Sequence, residues 1–283
     1  MIQNLKKKKS LLSKIGIMQG RLSPMINNKI QRFPFSSWKS EFRTCSKLNI
    51  KKIEWTIDNY KFEDNPICTF IGRQEIFLLK NKYHIDIDSV TADFFMQEPF
   101  YKLKKNKEEN YSKLKNFIID ASKINIKYII LPLVDNASIS NIREEKELII
   151  FLNNLKTLIK SCNIIVLFES DYHPEKLLKF IKKFDQNCFG INYDLGNSAG
   201  LGYNFNDEKI YFDYVKNIHI KDKNFQKKSI HLGKGNAQFD QLFKYLIKSN
   251  YKGNLILQTA RHKKNIYIIK KNINFLYKKL INL

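Results

Sequence analysis

Eight times along its 283 residues, this chain passes from a short apolar run into a longer, charged stretch of helical periodicity. No other feature constrains the fold as much. Strand–helix repeats of roughly 30 residues build a parallel sheet, and eight of them predict a closed barrel rather than an open doubly wound sheet. The predicted strands lie within 14–22 (KIGIMQGRL), 52–58 (KIEWTID), 85–95, 128–134 (YIILPLV), 163–170 (NIIVLFES), 189–195, 215–222 and 253–261 (GNLILQTAR). Helices are predicted over 38–48, after Pro66, over 108–123 and 145–159, from Pro174, and along the apolar faces Phe239–Ile247 and Ile266–Leu280. Both prolines suit a first helical turn. The fold class expected is a single (β/α)₈ TIM barrel over 14–283, preceded by a basic, flexible N-terminus at 1–13.

Several other classes are disfavoured. Gly16 and Gly20 follow no GxGxxG pattern after the first strand, so dinucleotide binding is not expected, and no phosphate loop is present. Cys45, Cys68, Cys162 and Cys188 include no CxxC pair and no dense disulfide framework, which fits a reducing cytoplasm. No apolar run approaches a membrane span, and Ser13 and Lys14 interrupt the stretch after Lys6–Lys9 that a signal peptide would need. The formal charge of +23 invites a nucleic-acid or anionic partner. However, the lysines are spread over nearly every segment instead of forming a stripe. They read as a compositional bias that solvates helix faces, so nucleic acid is not the expected partner.

The chemistry lies at the strand ends, because barrels of this kind carry their reacting groups at the C-terminal ends of the strands. Glu169 ends strand five and Asp194 ends strand six; His219 lies in strand seven and Gln258 in strand eight. Side chains alternate across a strand. Glu169 therefore shares a face with Leu167 and Ile165, Asp194 with Asn192 and Gly190, His219 with Asn217 and Lys221, and Gln258 with Ile256 and Asn254. The opposite faces are richly apolar and suit packing beneath outer helices, so the mixed faces point into the barrel. Two carboxylates, an imidazole and an amide oxygen then converge on a metal site. Such an oxygen-rich set with one nitrogen suits Mn²⁺ or Mg²⁺, with Zn²⁺ or Co²⁺ as alternatives.

Within that frame Glu169 is the expected acid/base, and Lys221 is expected to steady a developing enediolate or a substrate anion. Arg21 and Arg261, just past strands one and eight, are expected contacts for an acidic or phosphorylated sugar. Glu54, Asp58 and Asp93 lie near the ends of strands two and three. They are placed either to bind substrate hydroxyls, the role assigned to Glu54, or to cap helices and pair with lysines.

These residues also carry a resemblance. The segments KIGIMQGRLSP (14–24), QRFPFSSW (31–38), IEWTID (53–58), SVTADFF (89–95), NYDLGNSAGLGY (192–203), NIHIKD (217–222), HLGKG (231–235) and LILQTAR (255–261) resemble the xylose isomerase-like barrel superfamily. That superfamily includes sugar epimerases, hydroxypyruvate isomerase, inosose dehydratase and endonuclease IV. The nearest likeness is to bacterial sugar phosphate isomerase/epimerase proteins. The resemblance implies metal ligands at Glu169, Asp194, His219 and Gln258, and a metal-dependent isomerase or epimerase acting on a small sugar. Two positions depart from the pattern. Gln258 stands where similar epimerases place a glutamate, and a glutamine ligates without taking a proton. Asn197 stands where related enzymes carry a histidine, which suits a substrate hydroxyl better than zinc. The missing second glutamate keeps a dehydratase or lyase on the same metal site as an alternative. The scarcity of histidines disfavours an endonuclease IV-like activity, the intact Glu169, Asp194 and His219 disfavour an inactive sugar-binding barrel, and a homodimer is left open.

Overall fold

A computed structural model describes residues 2–26, 32–103, 106–259 and 265–283. Eight parallel strands close into a barrel: β1 (Ile15–Met18), β2 (Ile53–Ile57), β3 (Ser89–Ala92), β4 (Tyr128–Leu133), β5 (Ile165–Ser170), β6 (Phe189–Asp194), β7 (Val215–Ile220) and β8 (Asn254–Leu257). Each strand pairs with its neighbours in chain order, and β8 returns to pair with β1. The fold is a single (β/α)₈ TIM barrel.

Two separate apolar layers explain why these residues form these strands. The outward faces of β5 and β6, with Val166, Phe168, Phe189 and Ile191, join the main core beneath the helices. The inward face contributes a much smaller plug of Tyr128, Ile130 and Leu167. Large and small residues alternate inside, as a tapering barrel requires. A Cβ on Gly190 would lie 2.9 Å from Leu167 Cδ2, and one on Gly16 would lie 2.8 Å from Ile256 Cδ1. Above the plug the interior turns polar, with Glu54, Thr91, Asn192, Asn217 and His219 all buried.

Several boundaries differ from the sequence reading. The N-terminus, expected to be flexible, forms the helix Ile2–Leu12, whose Leu11 is buried in the main core. One buried leucine on an otherwise basic stretch is a weak sequence signal; in the structure Leu12 packs on the core beside it, and Lys7 and Lys8 donate to the carbonyls of Lys248 and Ile281. β1 stops at Met18 rather than 22 because Gly20 turns at φ 82° and Glu41 accepts the backbone N–H groups of Gly20 and Leu22. The helix expected from Pro66 begins at Phe70 instead. Thr69 caps it by accepting from Gly72 N, while the Asn65 side chain accepts from Ile67 N and Trp55 Nε1 and holds Pro66 in the preceding turn. The predicted helix 145–159 is two helices, Ile142–Asn154 and Lys156–Ser161, joined at Leu155.

Candidate metal centre and barrel mouth

The register of β6 and β7 sets Asp194 beside His219, and β7 pairs on its other edge with β8, the strand that Gln258 follows. Glu169 reaches the same point from β5. The ligating atoms of Glu169, Asp194 and His219 all lie within 4.8 Å of one another, and all three residues are buried. His219 Nδ1 is 3.0 Å from Glu169 Oε2 and 3.7 Å from Asp194 Oδ2.

The other ring nitrogen fixes how His219 is presented. Nε2 lies 2.6 Å from Glu54 Oε1, and both residues are wholly buried. Glu54 also accepts from Ser89 Oγ, Thr91 Oγ1 and Asn217 Nδ2. Asn217 Nδ2 donates in turn to Asn192 Oδ1, so the Asn192 amide must turn its NH₂ toward Glu169 Oε2, 3.0 Å away. This carboxylate–histidine arrangement has Nε2–H donate to Glu54 and leaves Nδ1 facing Glu169 and Asp194, the usual support of a metal-binding histidine. The sequence reading gave Glu54 to substrate hydroxyls. Both of its oxygens are engaged and it has no exposed surface, so it stands behind the ring and offers substrate no free oxygen.

Burial alone would drive protons off His219, but Glu54, Asp194 and Glu169 outweigh it and hold the imidazole well above its usual range. Burial likewise opposes charge on Asp194, and Lys221 and His219 outweigh it, holding that carboxyl far below the ordinary carboxylate range. Asp194 Oδ2 has no hydrogen bond of acceptable geometry, although the Lys221 ammonium sits 2.6 Å away. A cluster that concentrates negative charge and raises a histidine pKa is one that a divalent cation satisfies by displacing protons. Glu169, Asp194 and His219 therefore fit such an ion, and Gln258 Oε1, linked to Asp194 through the Lys221 ammonium, is the candidate for a neutral fourth ligand. Glu54→Gln would set an amide NH₂ against the Asn217 donor and loosen the ring. Isothermal titration with Mn²⁺ is expected to show affinity reduced by about 10–100-fold. Unchanged affinity would remove Glu54 from this role.

The remaining predicted residues divide. Lys221 donates to Gln258 Oε1 at 2.9 Å, so its ammonium lies among the candidate ligands and not apart from them. Asn197 Nδ2 donates to Glu169 Oε1 at 2.7 Å, and its Oδ1 accepts from Lys223 Nζ at 2.7 Å. Arg21 is buried, with Nη2 3.4 Å from Met18 Sδ. Arg261 lies outside the described residues, as does His262. Asp58 accepts from Phe33 N and Tyr60 N, a loop-holding role. The HLGKG segment is pinned by Asp222, which accepts from the backbone N–H of Gly233, Gly235 and Ala237.

One group that the sequence reading left undecided stands out. Asp93, just past β3, is 1% exposed, and its Oδ2 has no hydrogen-bond partner. Burial and the nearby charge of Glu169 push its carboxyl well above the usual range, with Arg21 pulling the other way. Asp93 is thus a buried carboxyl whose environment, Glu169 included, disfavours its charge.

A family profile described as xylose isomerase-like TIM barrel matches residues 82–279. The chain belongs to the xylose isomerase-like TIM barrel family. No curated protein matches it in sequence. Among solved structures, it is similar to a xylose isomerase domain protein from Planctomyces limnophilus, at 17% identity and TM-score 0.72, over 95% of this chain and 98% of that one. It is similar to 3-keto-D-glucoside 4-epimerase from E. coli, at 13% identity and TM-score 0.70, over 94% and 99%. A third is a xylose isomerase-like TIM barrel protein from Mycobacterium smegmatis in complex with magnesium, at 14% identity and TM-score 0.67, over 94% and 96%. At these identities the likeness carries the fold.

Among the described residues, no second group of three or more acidic, histidine or cysteine ligands gathers. His84 caps the helix Phe70–Tyr83, His173 packs on Tyr203, and His231 is exposed. A three-metal nuclease centre therefore has no counterpart among those residues. Nor is any described helix long and apolar enough to cross a membrane.

Proposed function

We propose that this barrel is a divalent-metal-dependent isomerase or epimerase that moves a proton at a carbon next to the carbonyl of a sugar or sugar derivative. The observation that carries this reading is the convergence of Glu169, Asp194 and His219 within 4.8 Å at the C-terminal mouth of the barrel. Bound there, the metal would polarise a carbonyl oxygen and acidify the neighbouring C–H.

This chain's residues supply the remaining parts. Glu169 receives the proton as a carboxylate held by Asn192 and Asn197. Asn197 and Lys223 line the side of the mouth next to it and are suited to hydroxyl or anionic oxygens of the substrate. Gln258 cannot return a proton, and we assign that role to Asp93, a buried carboxyl whose Oδ2 has no hydrogen-bond partner. On this reading Glu169 and Asp93 would together stand in for the two glutamates expected of similar epimerases. If Asp93 serves only to hold substrate, a single base remains, and elimination of water from a hydroxy-ketone becomes the better reading.

A panel of ketoses and keto-sugars in D₂O with Mn²⁺ separates the two. Carbon-bound deuterium in an isomer of unchanged mass apart from the label supports the isomerase. A product lighter by one water supports the lyase. Absence of both exchange and water loss across the panel would count against proton-transfer chemistry at this site.

A further inference from the structure

The Lys221 ammonium does not project freely into the mouth. It lies 2.6 Å from Asp194 Oδ2 and donates to Gln258 Oε1 at 2.9 Å, so one cation already bridges two of the four candidate ligands. The path to that position is built into the fold. A Cβ on Gly196, in the short helix after Asp194, would lie 2.3 Å from Lys221 Cγ and 3.2 Å from the Lys221 carbonyl carbon. The missing side chain at Gly196 opens the groove along which the Lys221 stem runs, leaving the residue only partly buried and its head on Asp194.

We propose that Lys221 is an internal competitor for the divalent cation: it occupies Asp194 and Gln258, and must swing off them when the ion binds. The inference rests on the metal site proposed above. Two like charges cannot share Asp194 Oδ2 without strong repulsion. The alternative place for the ammonium is the mouth beside Lys223, whose pKa burial and the Lys221 charge already depress. An anionic group on the substrate would accept the displaced ammonium there. Metal and an anionic sugar should therefore bind more tightly together than either does alone. A neutral Gln258 belongs to the same scheme, because a glutamate in its place would hold Lys221 more firmly against exchange.

The test is isothermal titration of the full chain with Mn²⁺ at one pH, comparing wild type with Lys221→Met, Lys221→Gln and Gly196→Ala, each checked for native circular dichroism. Lys221→Gln keeps a donor toward both oxygens without the charge, and Gly196→Ala displaces the stem while leaving the lysine in place. All three are expected to bind one Mn²⁺ per chain more tightly, the Lys221 variants by about tenfold or more, the scale of removing one adjacent unit charge. Tight binding in the Lys221 variants with none measurable in wild type would also support the competitor role. Wild-type binding with unchanged or weaker binding in the folded Lys221 variants would overturn the competitor role alone. Absence of Mn²⁺ binding in every folded protein would overturn the metal site itself.

Discussion

Glu169→Gln is expected to leave a folded barrel that has lost its proton transfer. Removing a general base costs about 10²–10⁴-fold in turnover. The local damage is smaller but real. Oε1 accepts from Asn197 Nδ2 and Oε2 from Asn192 Nδ2, so either orientation of a glutamine amide sets an NH₂ against one of those donors. One lost buried hydrogen bond of this kind costs about 1–3 kcal/mol. The amide oxygen can still ligate, so Mn²⁺ affinity should fall far less than activity. Deuterium exchange at the substrate carbon, read beside Mn²⁺ titration and circular dichroism, separates the effects. Full turnover in the folded variant would remove Glu169 as the base.

Asp93→Asn should move stability and activity in opposite directions. The folded pKa of Asp93 lies above the unfolded value, since burial and Glu169 disfavour its charge. For a raised carboxyl, the stability contribution is full below the unfolded pKa and is lost as pH rises through the folded pKa. Asparagine is neutral throughout, so metal-free Asp93→Asn should gain little near pH 4 and about 1–3 kcal/mol in mildly alkaline buffer. Thermal unfolding of both proteins at the two pH values measures the difference. Turnover should fall by about 10²-fold if Asp93 passes a proton. A variant less stable than wild type at alkaline pH would mean that Asp93 is ionised and paired in the native barrel.

The fold was legible because its signal repeats eight times, and an error of a few residues at any one strand does not change the sum. Side-chain parity was nearly as informative. It placed Glu169, Asp194, His219 and Gln258 on inward faces, and the contacts among the first three, with Lys221 linking Asp194 to Gln258, follow from that. What the sequence could not supply was the identity of partners across the barrel. Glu54 and His219 are separated by 165 positions, and only closure of the sheet brings Glu54 Oε1 to the imidazole. In the sequence Glu54 is one more carboxylate near a strand end, suited to a substrate hydroxyl or to pairing with a lysine. The same holds for Asp93, whose meaning lies in an oxygen without a partner, and for Lys221, whose reach depends on the groove at Gly196. The N-terminal helix was missed for a different reason: its apolar contacts come from Leu11 and Leu12 at the end of a lysine-rich segment.

The central claim is that Glu169, Asp194, His219 and Gln258 hold one divalent ion. Anomalous diffraction from crystals grown with Mn²⁺ tests it most directly. The account predicts a single strong peak bonded to Glu169, Asp194, His219 Nδ1 and Gln258 Oε1, with the Lys221 ammonium moved off Asp194. A manganese-saturated crystal with no peak at those four side chains, and Lys221 still seated on Asp194 and Gln258, would contradict it.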